Sequence, residues 1–259
     1  MGQTNDQTAA KHVQVVNASG ASSIVLVCEH ASPVIPDIYA DLGLSPADRT
    51  SHAAWDPGAY AVATRLSERL DAALVAGTVS RLVYGLNRSP DSPGAMPAQS
   101  EVIVVPGNAN LTATEQNDRV TRYYVPFHDR VAQIMGQIDM PILITVHSFT
   151  PVYHGQRRTV DIGVLHDSDS RLADAMLACA ASHTQADVQR NAPYGPLDGV
   201  MHTLDLHGLR QGRMNVMLEV RNDLIATPQS QAAMGDMIAT WVADACTRLS
   251  VGGSVSCVA

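Results

Sequence analysis

Three short apolar runs constrain this chain more than any other feature of its sequence. They are Ile24–Cys28 (IVLVC), residues 141–146 (PILITV) and residues 214–220 (MNVMLEV). Unbroken runs of this length are typical of strands that a parallel or mixed sheet buries on both faces. A chain with several such strands must also supply helices to cover both faces of the sheet.

Helical patterns alternate with these runs. Residues 58–74 place their apolar side chains on a single helical stripe. Further helices are predicted at residues 114–138, 170–182 and 229–249, and further strands at residues 78–83 and 160–165. This alternation predicts an α/β protein with three α/β/α layers and a mixed, mostly parallel central sheet.

The domain organisation is predicted to be simple, because no linker, repeat or low-complexity segment divides the sequence. We expect a single domain over residues 23–249. Residues 1–22 are expected to be a disordered lead, and residues 250–259 a loose tail.

Composition narrows the class of protein. The formal net charge of -8 argues against a nucleic-acid partner, since such proteins need a basic surface. The 4 cysteines form no CxxC pair, which favours reduced thiols over a disulfide framework. No apolar run is long enough for a membrane span, and the polar start lacks the core of a signal peptide. We therefore expect a cytoplasmic protein without a membrane partner; its oligomeric state cannot be predicted.

Two of the buried strands end in histidine. His30 follows the first run and His147 follows PILITV. Because ligands bind at the carboxyl ends of strands in open α/β sheets, both imidazoles are predicted zinc ligands. Asp56 is the preferred third ligand and Glu29 its competitor. The alternatives are structural histidines, Asp56 as a helix N-cap, and Glu29 as an ion-pair partner.

Glu219 lies inside an apolar strand, where an unpaired carboxylate is costly to bury. Either it pairs with a structural arginine such as Arg221, or it acts as a general base over an activated water. We favour the base. Arg221 is also a predicted substrate-binding residue.

Cations near the same sheet edge could attract an anionic substrate to this acidic protein. Arg81 and Arg88 are candidates, with Asn87 as an additional donor, because arginine can bind a carboxylate with two hydrogen bonds. The alternative is that both arginines pair with surface acids such as Asp91.

Five segments carry a resemblance to a known family. VCEHAS, SHAAWDPGA, VSRLVYGLNRSP, ITVHSFTPV and NVMLEVRNDLI occur in this order. With them, the chain from about residue 23 to residue 249 resembles the N-formylglutamate amidohydrolase family. The resemblance implies a fold like that of zinc carboxypeptidases and aspartoacylase, and makes residues 23–249 an amidohydrolase domain.

The resemblance also implies roles for individual residues. His30 and His147 would hold zinc, with Glu219 as the catalytic carboxylate. Asn87 and Arg88 of the LNR motif would grip a substrate carboxylate, and Arg81 would help to polarise the scissile carbonyl. Two departures mark a divergent branch. Glu29 precedes His30 where histidine-pathway deformylases have proline, and Pro33 stands where carboxypeptidases have the glutamate of HxxE.

The implied activity is metal-dependent hydrolysis of N-formyl-L-glutamate to glutamate and formate, a step of histidine degradation. The expected substrate is a small anionic N-acyl amino acid. Zinc is the expected cofactor, although cobalt or manganese would also accept two histidines and a carboxylate. One alternative is an amidohydrolase for a different N-acyl or peptide-like substrate. The other is a metal-free protein that binds a dicarboxylate.

Overall fold

The computed structural model describes residues 12–251 and 255–257 of the chain. The strands of this part are β1 (Val13–Val16), β2 (Ile24–Cys28), β3 (Ala73–Gly77), β4 (Gln99–Ser100), β5 (Ile103–Val104), β6 (Ile142–Phe149), β7 (Val152–Tyr153), β8 (Gln156–Arg157), β9 (Ile162–Leu165), β10 (Val188–Arg190) and β11 (Asn215–Arg221). The α-helices are α1 (Pro46–Thr50), α2 (Ala59–Leu70), α3 (Ala113–Arg119), α4 (Val125–Met135), α5 (Arg171–Cys179), α6 (His202–His207) and α7 (Pro228–Arg248). Short 3₁₀ segments lie between them at Asp37–Gly43, Pro106–Asn108, Ala180–Ser182, Pro196–Asp198, Leu209–Gln211 and Asn222–Ile225.

One sheet of 7 strands organises the molecule, in the order β1-β3-β2-β6-β11-β9-β10. The pairs β1–β3 and β11–β9 are antiparallel, and the other neighbouring pairs are parallel. Two small ribbons, β4–β5 and β7–β8, stand apart from this sheet. The predicted mixed, mostly parallel sheet is confirmed.

Helices cover both faces of the sheet. On one face, Ile24 and Leu26 of β2 belong to an apolar cluster with α2, α5 and α7. On the other face, Val25 and Val27 of the same strand belong to a cluster with α4 and α6. Both clusters are needed because every residue of β2 and β6 is buried. The predicted three layers are confirmed.

Several predicted elements had wrong bounds, and the helix predicted at residues 58–74 already ends at Leu70. We predicted a strand at residues 78–83, but β3 is Ala73–Gly77 and the following residues form a loop. The error arose because the apolar pattern of α2 continues into β3, while Asp71 ends the helix in the left-handed conformation. The helix predicted at 114–138 is split into α3, a π-helical stretch (Val120–Tyr124) and α4. Pro126 explains the split, because proline has no N–H for an α-helical hydrogen bond.

The chain ends differ from the expected lead and tail. Val13–Val16 form edge strand β1, paired antiparallel with β3, so the expected disorder is wrong for this part. Residues 1–11, the rest of the expected lead, lie outside the described residues, as do residues 252–254 and 258–259 of the tail. Val255 is buried in the apolar cluster with α7, so the tail is not loose there. None of the helices in the described part of the chain is long and apolar enough to cross a membrane.

Candidate metal centre and substrate pocket

Three neighbouring strands bring polar side chains to one edge of the sheet. Glu29 and His30 directly follow β2, and His147 lies near the carboxyl end of β6. Glu219 occupies the matching position of β11, where it is the register partner of His147. Each strand is held in place by its buried residues, and the position of the strand determines where the side chains at its end lie.

Asp56 joins this group from the loop before α2. Its backbone N–H donates to the carbonyl oxygen of His30 at 3.0 Å, which ties the loop to the end of β2. Gly58 is the N-cap of α2 at φ 83°, a left-handed conformation that glycine adopts readily. Because the N-cap residue is this glycine, Asp56 does not cap the helix. Its side chain is instead turned into the site, where Asp56 is 2% exposed.

The side chains of His30, Asp56 and His147 converge. Oδ2 of Asp56 lies 2.8 Å from Nδ1 of His147 and 3.4 Å from Nδ1 of His30. One donor atom from each residue lies within 4.8 Å of the other two. Donor atoms that bind one cation at about 2.0–2.2 Å have separations of this order.

The surroundings of His147 suit a metal ligand. Oε2 of the buried Glu29 lies 3.1 Å from Nε2, the ring nitrogen on the other side from Asp56. A carboxylate there favours the tautomer with its hydrogen on Nε2, which leaves the Nδ1 lone pair for a cation. Nδ1 of His30 is buried and has no hydrogen-bond partner among residues 12–251 and 255–257. Such an orphaned nitrogen beside a carboxylate fits a divalent cation.

The electrostatic field of the site favours positive charge. Burial alone would lower the pKa of His147, but Glu29 and Asp56 raise it well above its ordinary value. Burial opposes the ionised form of Glu29, yet the adjacent His147 brings its pKa down to about 2. For Asp56, burial is likewise outweighed, chiefly by His30 and Arg81, and the pKa is lowered. Both carboxyl groups are therefore ionised and stabilise a bound cation.

Glu219 behaves differently from the other two carboxyl groups. Burial raises its pKa to about 7, against the opposing effect of His147. Its Oε2 is buried and has no hydrogen-bond partner in the described part of the chain. The expected alternative, a pair with Arg221, is not formed. A carboxyl group with a pKa near neutrality can both accept and return a proton, as a general base requires.

A cavity of about 310 Å³ opens beside these residues. The predicted site residues that line it are His30, Asp56, Arg81, Asn87, Arg88, His147 and Glu219. Seven of the eight predicted site residues are thus brought together around one small pocket. Its volume is at the lower end of the usual range for ligand sites.

Arg81 is held firmly in the pocket wall. Nε donates to the carbonyl oxygen of Ala53 at 2.9 Å, and Nη2 donates to that of His52 at 2.6 Å. Nη1 donates to Oδ1 of Asp56 at 3.1 Å. Arg81 therefore fixes the orientation of the Asp56 carboxylate and leaves Oδ2 directed at the histidines. The alternative of a surface pair with Asp91 does not apply.

Asn87 and Arg88 differ in how much of their hydrogen-bonding capacity is left for a substrate. The Asn87 side chain donates to the carbonyl oxygen of Val200 at 2.5 Å and accepts from the N–H of Thr203 at 2.9 Å. Most of its hydrogen-bonding capacity therefore holds the loop before α6. Arg88 donates through Nη1 to the carbonyl oxygens of Asp198 and Gly199. These bonds leave Nε and Nη2 of Arg88, two neighbouring donors, for a carboxylate.

Arg221 is not brought to the pocket. Its Nη1 lies 2.7 Å from Asp161 Oδ1, and its Nε donates to Asp223 at 2.7 Å. A guanidinium engaged by two acids has little to offer a substrate. The predicted substrate contact of Arg221 therefore does not fit its position, because the strand end directs it to β9 and its neighbouring loop.

Several pocket-lining residues were not singled out from the sequence. They include Tyr153, Tyr194, His52 and Glu101. His52 Nε2 lies 2.8 Å from Glu101 Oε2, while Glu101 Oε1 accepts from the N–H of His154 at 3.0 Å. All of them lie in loops or ribbons rather than at strand ends. No local pattern in the sequence marks them.

Comparisons with known proteins identify a family and two similar structures. The family model of N-formylglutamate amidohydrolase matches residues 22–226. The crystal structure of a gene product from Agrobacterium tumefaciens is 50% identical, with 96% of this chain and 100% of that chain covered and a TM-score of 0.91. The crystal structure of N-formylglutamate amidohydrolase from Ralstonia eutropha JMP134 is 16% identical, with coverages of 93% and 99% and a TM-score of 0.63, a likeness of fold. No curated protein sequence is matched.

Proposed function

Because this chain belongs to the N-formylglutamate amidohydrolase family, we propose that it is a divalent-cation-dependent hydrolase that releases formate from N-formyl-L-glutamate or cleaves a closely related N-acyl amino acid. One observation carries the proposal. Two histidine nitrogens, a carboxylate oxygen and a second carboxyl group with a raised pKa share one small cavity with a partly free arginine.

The proposed metal ligands are His30, Asp56 and His147, with zinc as the expected cation. A divalent cation in this position supplies Lewis acidity, which activates water and polarises an acyl oxygen at neutral pH. Glu29 supports the tautomer of His147, and Arg81 holds Asp56. These two residues are proposed to orient ligands and not to bind the cation.

Glu219 is the proposed general base. In its ionised form it accepts a proton from the attacking water, whose oxygen forms a bond to the acyl carbon. The carbon–nitrogen bond then breaks, and Glu219 returns the proton to the leaving nitrogen. The products are a carboxylic acid, which is formate for a formyl group, and the free amino acid. Burial of Glu219 gives it the pKa that both transfers require.

Arg88 is the proposed anchor for the amino-acid part of the substrate. Its Nη1 is fixed by two backbone carbonyl groups, so Nε and Nη2 are held ready for a carboxylate. Asn87 contributes mainly by shaping the loop, with one remaining N–H for the substrate. Arg81 is proposed to act on the carbonyl side of the cavity, beside the cation ligands.

The test is a direct assay on zinc-loaded protein. Formate release would be measured for N-formyl-L-glutamate, and amino-acid release for N-acetyl-L-glutamate and other N-acyl amino acids. We expect the formyl compound to be the best substrate. A protein that binds one equivalent of zinc yet hydrolyses none of these compounds contradicts the proposal. A protein that binds L-glutamate without any metal supports the metal-free binding protein instead. The cytoplasmic location and the place in histidine degradation stay predictions.

A further inference from the structure

Arg158 differs from Arg81 and Arg221 in the partners of its guanidinium group. Arg81 and Arg221 each pair with a carboxylate, whereas Arg158 pairs with none in the part of the chain that the structure describes. Its guanidinium carbon lies 5.5, 4.5 and 4.8 Å from the ring centres of Phe149, Tyr153 and Tyr194. Cation–π attraction of this kind stabilises a guanidinium without neutralising it. These three aromatic rings therefore hold a positive charge next to the pocket.

The three aromatic residues around Arg158 come from different segments of the chain. Phe149 ends β6 and Tyr153 belongs to β7, while Tyr194 lies in the loop after β10. These three aromatic residues line the cavity, whereas Arg158 is not among its lining residues. Nη1 of Arg158 also donates to the hydroxyl oxygen of Tyr194 at 3.0 Å. Arg158 thus holds the Tyr194 side chain near the segment that carries Phe149 and Tyr153.

The direction of that hydrogen bond decides what Tyr194 can do. A guanidinium has no acceptor atom, so the hydroxyl oxygen of Tyr194 must be the acceptor. The hydrogen of the Tyr194 hydroxyl is then left for another partner. Burial and the charge of Glu219 raise the pKa of Tyr194, which keeps that hydrogen in place. Tyr194 is therefore a donor at the pocket wall, oriented from behind by a cation.

We propose that Tyr194 donates its hydroxyl hydrogen to a carboxylate oxygen in the amino-acid part of the substrate, and that Arg158 is the positioning residue that orients this donor. Tyr194 lines the same cavity as Glu219, the proposed base, and Arg88, the proposed anchor. This inference rests on the proposed function. It assigns to Tyr194, a neutral donor, the substrate contact that was predicted for Arg221, which the fold keeps out of the pocket.

A double-mutant cycle tests the pair. Tyr194→Phe removes only the hydroxyl group, and Arg158→Met keeps an apolar side chain among the aromatic rings. Each single change should raise KM for N-formyl-L-glutamate about tenfold, the effect of one lost hydrogen bond to a charged group, with kcat nearly unchanged. Because Arg158 acts through the hydroxyl group, adding Arg158→Met to Tyr194→Phe should change KM less than about twofold. Arg158→Lys, which keeps a donor and a charge, should recover part of the loss.

Two matched controls separate this role from a merely structural one. Tyr60→Phe removes a hydroxyl group from a residue that does not line this cavity, and Arg157→Met removes a charge from the adjacent exposed position of β8. Neither should change KM. The effect of Tyr194→Phe should also shrink when the contacted carboxylate is amidated, as in N-formyl-L-glutamine or the α-amide. Additive effects of Tyr194→Phe and Arg158→Met on KM, or an equal effect of Tyr60→Phe, would overturn the inference.

The failure of the proposed function can be told apart from the failure of this inference. If the zinc-loaded wild type hydrolyses no N-acyl amino acid, the same variants are compared by calorimetric binding of L-glutamate. Weaker binding in Tyr194→Phe and Arg158→Met, without additivity, supports the inference even then. Equal binding in all variants, or no binding to the wild type, overturns it.

Discussion

Oε2 of Glu29 lies 3.1 Å from Nε2 of His147, on the side of the ring that is turned away from Asp56. Asp56 faces the other nitrogen of the same ring at 2.8 Å. The sequence alone left these two carboxylates as competitors for one position. Their placement on opposite sides of His147 gives them separate proposed roles, Asp56 as a metal ligand and Glu29 as the residue that orients His147.

Substitution of the two carboxylates should therefore have unequal effects on zinc affinity. Glu29→Gln is expected to weaken binding about 10–100-fold, as is usual when a carboxylate that orients a metal-binding histidine is replaced. Asp56→Asn should weaken it further, because a neutral amide is a poor zinc ligand. Competition with a chelating dye would measure both affinities. If Glu29→Gln strips the metal and Asp56→Asn retains it, the roles are reversed.

Removal of either histidine should remove the metal while the fold persists. His30→Ala and His147→Ala each delete one proposed ligand, so zinc content and activity are expected to fall together. His52→Ala is the matched control, since His52 lines the same cavity but lies outside the ligand cluster. Elemental analysis gives the zinc content, and circular dichroism checks the fold. Unchanged zinc content in both ligand variants would exclude this site.

Glu219→Gln should separate catalysis from metal binding. The amide has nearly the same shape as the carboxyl group but cannot accept the proton of water. We expect kcat to fall about 10²–10⁴-fold, the usual contribution of a general base. Zinc content should stay at the wild-type value, because Glu219 is not a proposed ligand. A variant that keeps most of its kcat would show that another group takes the proton.

Arg88→Lys tests the proposed carboxylate anchor. Lysine keeps the charge but loses the planar pair of donors, so one of two hydrogen bonds to the carboxylate should be lost. The expected fall in kcat/KM is about ten- to a hundredfold, or about 1.5–3 kcal/mol of transition-state stabilisation. The penalty should be smaller for substrates whose contacted carboxylate is amidated. If acidic and amidated substrates keep their wild-type ratio, the anchor is a different residue.

The buried pair His128 and His207 should make the fold sensitive to acid. Nε2 of His128 faces the carbonyl oxygen of Leu86 at 2.9 Å, and its Nδ1 lies 2.9 Å from Nε2 of His207. Burial lowers the pKa of His128 to about 3 and that of His207 to about 4, from 6.5. Below a pH of about 6.5 the unfolded chain binds protons that the folded protein does not. Stability is therefore lost as the pH falls from about 6.5 towards 4.

The measurement compares urea unfolding at a pH of about 7.5 and about 5, with a chelator present. Wild type should lose about 1–2 kcal/mol more than His207→Gln, in which this titration is absent. Glutamine keeps an N–H that can donate to His128, so the variant is expected to fold. An equal loss in both proteins would mean that His207 titrates normally in the folded state.

The sequence by itself determined the central strands and the residues at their ends. Ile24–Cys28 was predicted with its observed bounds, because a run of apolar residues is a local property that a buried parallel strand requires. His30, His147 and Glu219 could then be placed at one sheet edge, since neighbouring parallel strands end on the same side. The stripe of apolar residues in α2 was also predicted, and all of them are buried.

Only the tertiary structure decided which loop residues reach the site. Asp56 enters through a backbone hydrogen bond to His30, and Arg221 is drawn away by Asp161 of a distant segment together with the nearby Asp223. Arg158 and Tyr194 come together from segments 36 residues apart, and no sequence pattern in either segment predicts this contact. Such contacts depend on how the loops fold over the sheet. Their geometry is set by long-range packing and hydrogen bonding, which local composition and spacing do not encode.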